Sequence, residues 1–197
     1  MTRLISIAIP TIPGREKLLA KATKSYRDTA NVEILVALDE PGLMTCGRGW
    51  TLGADKATGD YIAFGADDVE MLPGWAEAAT ALCDQDKLPA ALIFNTDGSL
   101  QACGASWEQM EPDGAITEMS RSPVIKRNWW KFVGPIPADL HYFTDDWVSW
   151  RCRQQNIEAV VSHAYCYTHH LSPVGRDEER MGRDGGLFHA YQDGFVP

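Results

Sequence analysis

The sequence predicts an α/β fold, an open and mostly parallel sheet with helices on both faces, in a single domain. Three observations carry that expectation. Apolar, β-branched runs alternate with helical spacing four times in the first 95 residues, as in sheets built from βαβ units. The 197 residues suit about one domain. Three of the runs end in polar loops, Thr11–Arg15, Asp39–Glu40 and Asp67–Asp68, and ligands of such sheets bind beyond the carboxyl ends of the strands.

Taken in order, Leu4–Ile9 is a run of buried-strand type closed by Pro10. After the loop Thr11–Gly14, residues 15–28 have helical spacing, with Leu18, Leu19, Ala22 and Tyr26 on one side. Val32–Leu38 reads as a second buried strand and Asp39–Gly42 as a turn. A short helix is expected over 49–57, stopped by Gly59, and a third strand over Tyr61–Phe64. Pro73-Gly74 opens a helix through Trp75, Ala78, Ala79 and Leu82, and Ala90–Phe94 is the fourth strand. The second half is less regular. Asp97-Gly98 marks a hairpin turn, 104–140 a Gly-, Pro- and Trp-rich loop system, 145–155 a helix and 159–167 a strand. The stretch from Ser172 is polar and Gly-rich, and reads either as a lid or as a free end. It carries Arg176, Arg180 and Arg183, at a spacing suited to phosphate.

Composition narrows the function classes. Hydrophobic residues make up 45% and charged residues 23%, which fits a globular chain and argues against disorder. No apolar run reaches the roughly 20 residues that span a bilayer, and Leu4–Ile9 is too short for a signal segment. The five cysteines are odd in number and scattered, without C-x-x-C, so a cytoplasmic chain with reduced thiols is expected. A formal net charge of −9 disfavours non-specific binding to nucleic acid.

Asp67-Asp68 follows a buried strand directly. Adjacent carboxylates there either cap a turn or hold a divalent cation that relieves their repulsion. His163, Cys166, His169 and His170 are zinc-type residues closely spaced, but strand alternation divides them between two faces, whereas a structural zinc needs four converging ligands. The tryptophans of helical context, 75, 147 and 150, are core candidates; packing is also the larger expectation for 107, 129 and 130, with ring stacking on a sugar or base as the alternative.

The run Ile5–Pro10, then Val32–Asp39, then Gly53-Ala-Asp-Lys-Ala-Thr-Gly-Asp-Tyr-Ile-Ala-Phe64, Asp67-Asp68 and Pro73-Gly-Trp75 resembles a GT-A glycosyltransferase of the family 2 type. The resemblance extends over residues 3–171 and implies a donor half, 1–95, an acceptor half, 96–171, and a tail, 172–197. It places the family's D-x-D metal motif on Ala66-Asp67-Asp68, so the first aspartate is alanine here. Asp68 then takes the place of the ligand of Mn²⁺ or Mg²⁺, and Asp67 the variable position. Pro10, Thr11, Arg15, Asp39, Arg48 and Asp67 are the implied donor contacts, with Asp39 accepting from the nucleotide base and Arg15 and Arg48 balancing phosphate charge. The family's Arg-Asn before the helix glycine is replaced by Trp50-Thr51. Val133-Gly134-Pro135 and Phe143-Thr-Asp-Asp-Trp147 resemble the acceptor-side turn and acidic pair, which makes Asp146 the implied base with Asp145 beside it. His170, with His169 as the alternative, is the implied histidine of the metal site. The expected function is transfer of a sugar from a UDP- or GDP-type donor to a glycan, a protein or a modified nucleobase, with inversion and without a membrane partner. The alternatives are a non-catalytic nucleotide- or glycan-binding module on the same fold, and a nucleotidyltransferase. Against the latter, Thr11–Arg15 is a poor version of the Gly-rich basic loop such enzymes use.

Overall fold

The computed structural model describes residues 3–38, 45–103, 112–170 and 177–194. Its first sheet has the order β2-β1-β3-β8, built from β1 (Ile5–Thr11), β2 (Val32–Leu38), β3 (Tyr61–Phe64) and β8 (Val124–Lys126). Strand β1 lies in the middle, parallel to both neighbours, and is buried along its whole length. Alternation explains this. Ile5, Ile7 and Ile9 enter one core with Tyr26 and Trp75, whereas Ala8 enters the other with Trp50, Phe64 and Trp129. The strand continues through Pro10 to Thr11 rather than closing at Pro10, pairing there on β2 alone because β3 ends at Phe64.

Strand β2 is an edge, so it is half-exposed where a buried strand was expected, with Val36 and Leu38 open to solvent. Helix α1 (Glu16–Thr29) lays Ala22 and Tyr26 on the sheet. Helix α2 (Cys46–Ala54) begins and ends three residues earlier than its spacing suggested, and Thr45 caps it by accepting from the Arg48 N–H at 3.1 Å. Gly53 lets α2 touch β1 backbone to backbone, since a Cβ there would stand 2.5 Å from the Ala8 Cβ.

The expected fourth strand is β5 (Leu88–Phe94), which leaves this sheet for a second one of order β4-β9-β5-β6. Strand β4 (Val69–Met71) follows the acidic pair, β6 (Leu100–Cys103) forms the expected hairpin with β5, and β9 (Ala159–His169) pairs parallel to β5. The short β7 (Ile116–Thr117) adds to β9. Parallel pairing is therefore confined, among the described residues, to β1–β2, β1–β3 and β5–β9. Helix α3 (Trp75–Asp84) buries Trp75 in the first core, and α4 (Trp130–Val133) and α5 (Thr144–Arg153) pack on the other.

Residues 178–192 form α6 (Glu178–Gln192), capped by the Asp177 carboxylate. Asp184, fully buried, accepts from the backbone N–H groups of His141 and Tyr142 at 2.8 and 3.0 Å. Phe188 stacks on Phe143, and Tyr191 donates to Asp139. These contacts tie α6 to the segment that leads into α5. No described helix is long and apolar enough to cross a membrane.

Candidate active site

The loop after β3 is fixed from both sides of the sheet. The Trp50 indole donates to the Gly65 carbonyl at 2.8 Å, and a Cβ on Gly65 would meet the Tyr26 hydroxyl at 2.6 Å. Glycine there lets the chain run between two aromatic residues and deliver Ala66-Asp67-Asp68 at the carboxyl ends of β1 and β3. Asp67 is 2% exposed and accepts from the Thr11 hydroxyl at 2.6 Å. The Arg15 Nη2 lies 3.1 Å from Asp67 Oδ1 and 2.7 Å from Asp68 Oδ2. Burial pushes the Asp67 carboxyl up, in spite of Thr11 and Arg15. Burial acts the same way on Asp68, but His169 and Arg15 outweigh it and hold that carboxyl below the ordinary range.

The two histidines at the end of β9 take different places. His169 Nε2 lies 3.7 Å from Asp68 Oδ1, while its Nδ1 meets Gln101 Oε1 at 3.0 Å. His170 gives Asp68 only its backbone N–H, at 2.7 Å to the carbonyl oxygen. Its ring bonds Glu70 at 2.8 Å and Lys21 at 3.1 Å. Geometry thus brings the ring of His169, rather than that of His170, to Asp68, at the end of a β4–β9 ladder whose last pair is Val69 and His169.

The second acidic pair opens α5. Arg121 Nη1 stands 3.5 Å from Asp145 Oδ2. Burial, and then the neighbouring Asp145 charge, push the Asp146 carboxyl up to about 7 against the pull of Arg121. Both pairs act electrostatically on the same side chains. The Cys46 thiol, pushed up to about 12 chiefly by burial, also feels Asp145, Asp68 and Asp67. Tyr167 feels Asp145 and Asp68 as well. From α6, Arg180 acts on Cys46 and on His141, whose imidazolium burial and then Arg180 hold down to about 4.

Of the remaining expected donor contacts, Pro10 and Thr11 close β1, Arg48 is exposed on α2, and Asp39 lies outside the described residues. His141 and Arg121 carry no motif that would have singled them out. Both sit in irregular stretches, and only the fold brings them to the cleft. Trp75 and Trp129 are buried, Trp130 bonds Asp55, and Trp107 is outside the described residues. Among the described residues no three His, Cys, Asp or Glu side chains gather into a ready-made metal cage.

No family model matches the chain. No curated protein resembles it at the level of sequence. Solved structures do. TarS of S. aureus superposes with a TM-score of 0.67 at 13% identity, over 94% of this chain and 38% of that one. GalNAc-T7, solved with UDP, GalNAc and Mn²⁺, superposes with a TM-score of 0.66 at 11% identity, over 85% and 44%. Both are GT-A glycosyltransferases. The chain has the GT-A fold. It spans about two fifths of the length of either relative. The Ala66–Asp68 loop follows β3, and Asp145-Asp146 stands in the first turn of α5.

Proposed function

We propose that this chain transfers a sugar from a nucleotide-sugar of the UDP or GDP type to an acceptor hydroxyl, with inversion at the anomeric carbon. What supports the reading is the half-buried Asp146 carboxyl at the start of α5, pushed up to about 7, together with Asp68 and His169 facing each other at the strand ends with Arg15 beside them. A hydroxyl is a poor nucleophile at neutral pH, and a base works best with its pKa near the working pH. Asp146 takes the hydroxyl proton as the acceptor oxygen attacks the anomeric carbon. The bond from that carbon to the diphosphate breaks, and the nucleoside diphosphate leaves. Arg15 and Arg180 offer the leaving group positive charge, and Thr11 holds Asp67 in place behind them.

The donor set fits a hard divalent cation. A carboxylate oxygen and an imidazole nitrogen face each other at 3.7 Å, too far for a hydrogen bond and suited to a shared ion. Mn²⁺ or Mg²⁺ typically takes one or two protein carboxylates and completes its shell with phosphate oxygens and water. Asp68 and His169 would hold it, and when bound it neutralises charge on the departing diphosphate. The GalNAc-T7 structure, with its UDP and Mn²⁺, supports that class of donor and ion. Cys46, Cys83, Cys152 and Cys166 are free thiols, in keeping with a reducing, cytoplasmic setting.

The test is a thermal-shift screen of nucleotide-sugars with and without Mn²⁺, followed by release of UDP or GDP from the donor that binds. A donor that stabilises the fold more with Mn²⁺ and is hydrolysed upholds the proposal. Ala66, where the motif's first carboxylate is missing, favours a second reading, a binding module without catalysis. Donor binding with no hydrolysis and no transfer would select it.

A further inference from the structure

We infer that Arg15 is the resident counter-cation of Asp67 and Asp68, that the donor's diphosphate draws it away, and that the divalent cation therefore loads together with the donor. The inference rests on the donor reading above and concerns how that site fills.

The geometry of Arg15 is that of an incomplete pairing. A guanidinium prefers to meet a carboxylate through two parallel N–H bonds. Here one nitrogen, Nη2, serves both Asp67 and Asp68, while Nε is buried with no hydrogen-bond partner. A buried donor without an acceptor is costly, so the arrangement leaves Arg15 a donor to offer an incoming anion. Its side chain is 26% exposed and rises from the position just ahead of α1.

The neighbours are arranged so that Arg15 can leave. Asp67 keeps its bond from Thr11 at 2.6 Å. Asp68 keeps His169 on its other oxygen. What departs is one positive charge, from a pair that carries two negative ones when ionised. A divalent cation restores the balance, and a diphosphate gives Arg15 the bidentate partner it lacks. Ala66 supplies no further carboxylate. Without that third acid, the free site has little to outbid a guanidinium already in place. Donor and cation thus help each other through one side chain, a coupling that acts equally in both directions.

The experiment measures Mn²⁺ binding by electron paramagnetic resonance on the whole chain, alone and with UDP or GDP, for wild type and Arg15→Gln. In the wild type, Mn²⁺ binds weakly alone and at least tenfold more tightly with the nucleotide that the protein accepts. In Arg15→Gln, Mn²⁺ affinity without nucleotide rises at least tenfold, while nucleotide affinity without metal falls at least tenfold. Adding Asp68→Asn to Arg15→Gln removes the gain, which locates it. A simple phosphate contact would lower nucleotide affinity and leave Mn²⁺ alone unchanged. That result, in a variant whose circular dichroism and melting are cooperative, overturns the inference. If neither nucleotide binds either protein but the Mn²⁺ gain is present, the donor reading fails and Arg15 as resident cation stands.

Discussion

Replacing Asp146 by Asn separates a catalytic base from a helix-capping acid through two readouts. Asp146 lies in the first turn of α5, where a carboxylate ordinarily stabilises the helix end by a few tenths of a kcal/mol to about 1. Its carboxyl is nevertheless pushed from 3.8 up to about 7 by burial and by Asp145. At about 1.4 kcal/mol per unit the ionised form is disfavoured by on the order of 4 kcal/mol at most, and solvent at its partly open side reduces this to ~2 kcal/mol. The sign follows from linkage: the folded pKa is raised, so the contribution is fully favourable below pH 4 and is lost as pH rises through about 7. Asn carries no charge to desolvate. Asp146→Asn should melt at the same temperature as wild type near pH 4 and about 4–8 °C higher at pH 8, using roughly 2–4 °C per kcal/mol for a chain of this size. Turnover should fall by about 10²–10⁴-fold, the usual worth of a positioned base. In the wild type, turnover should climb with pH through about 7, and the variant should lose that limb. Differential scanning calorimetry at both pH values, with nucleoside diphosphate release as the activity assay, reads both effects. A variant that melts lower at pH 8 and turns over normally would refute the reasoning and leave Asp146 a cap.

Other outcomes follow from the same geometry. His169→Ala should cost Mn²⁺-dependent donor affinity at least tenfold by calorimetry, whereas His170→Ala should change it less than threefold, since the His170 ring bonds Glu70 and Lys21. Asp184→Ala leaves the His141 and Tyr142 N–H groups buried without their acceptor. It should destabilise the fold by about 2–4 kcal/mol, read as a melting temperature lower by roughly 5–12 °C. Gly65→Ala forces a Cβ to within 2.6 Å of the Tyr26 hydroxyl. It should cost about 1–3 kcal/mol by urea unfolding and displace the Asp67-Asp68 loop, weakening donor binding.

The elements legible in the sequence are those whose own residues suffice to define them. Tyr61–Phe64 is four buried residues between Asp60 and Gly65, and the strand has those bounds. Strand β4 is only three residues, squeezed between Asp68 and Pro73, and exists because β9 pairs with it. Helix α6 holds Gly182, Gly185 and Gly186, the worst helix formers after proline, and its order comes from Asp184 and Phe188 docking on another segment. The site divides the same way. The positions of both acidic pairs are legible, because each stands at the edge of a well-patterned element. The choice between His169 and His170 is not, since strand alternation no longer applies where a ladder stops. Arg121 and His141 reach the cleft only through long-range packing.

Strand β9 gives the site a place in time as well as in space. Asp68 emerges early in synthesis, with Thr11 and Arg15 already made, yet its other oxygen meets a partner a hundred residues later. The β4–β9 ladder is completed by Tyr167, Thr168 and His169, and His170 clamps the Asp68 carbonyl. A nascent chain stalled before residue 167 would hold β1, β2, β3 and both acidic pairs without the β4–β9 ladder. Such distant closures are slow, because the loop must be shut before its contacts reward it. The contact of His169 with Asp68 therefore forms only after residue 169 has been made.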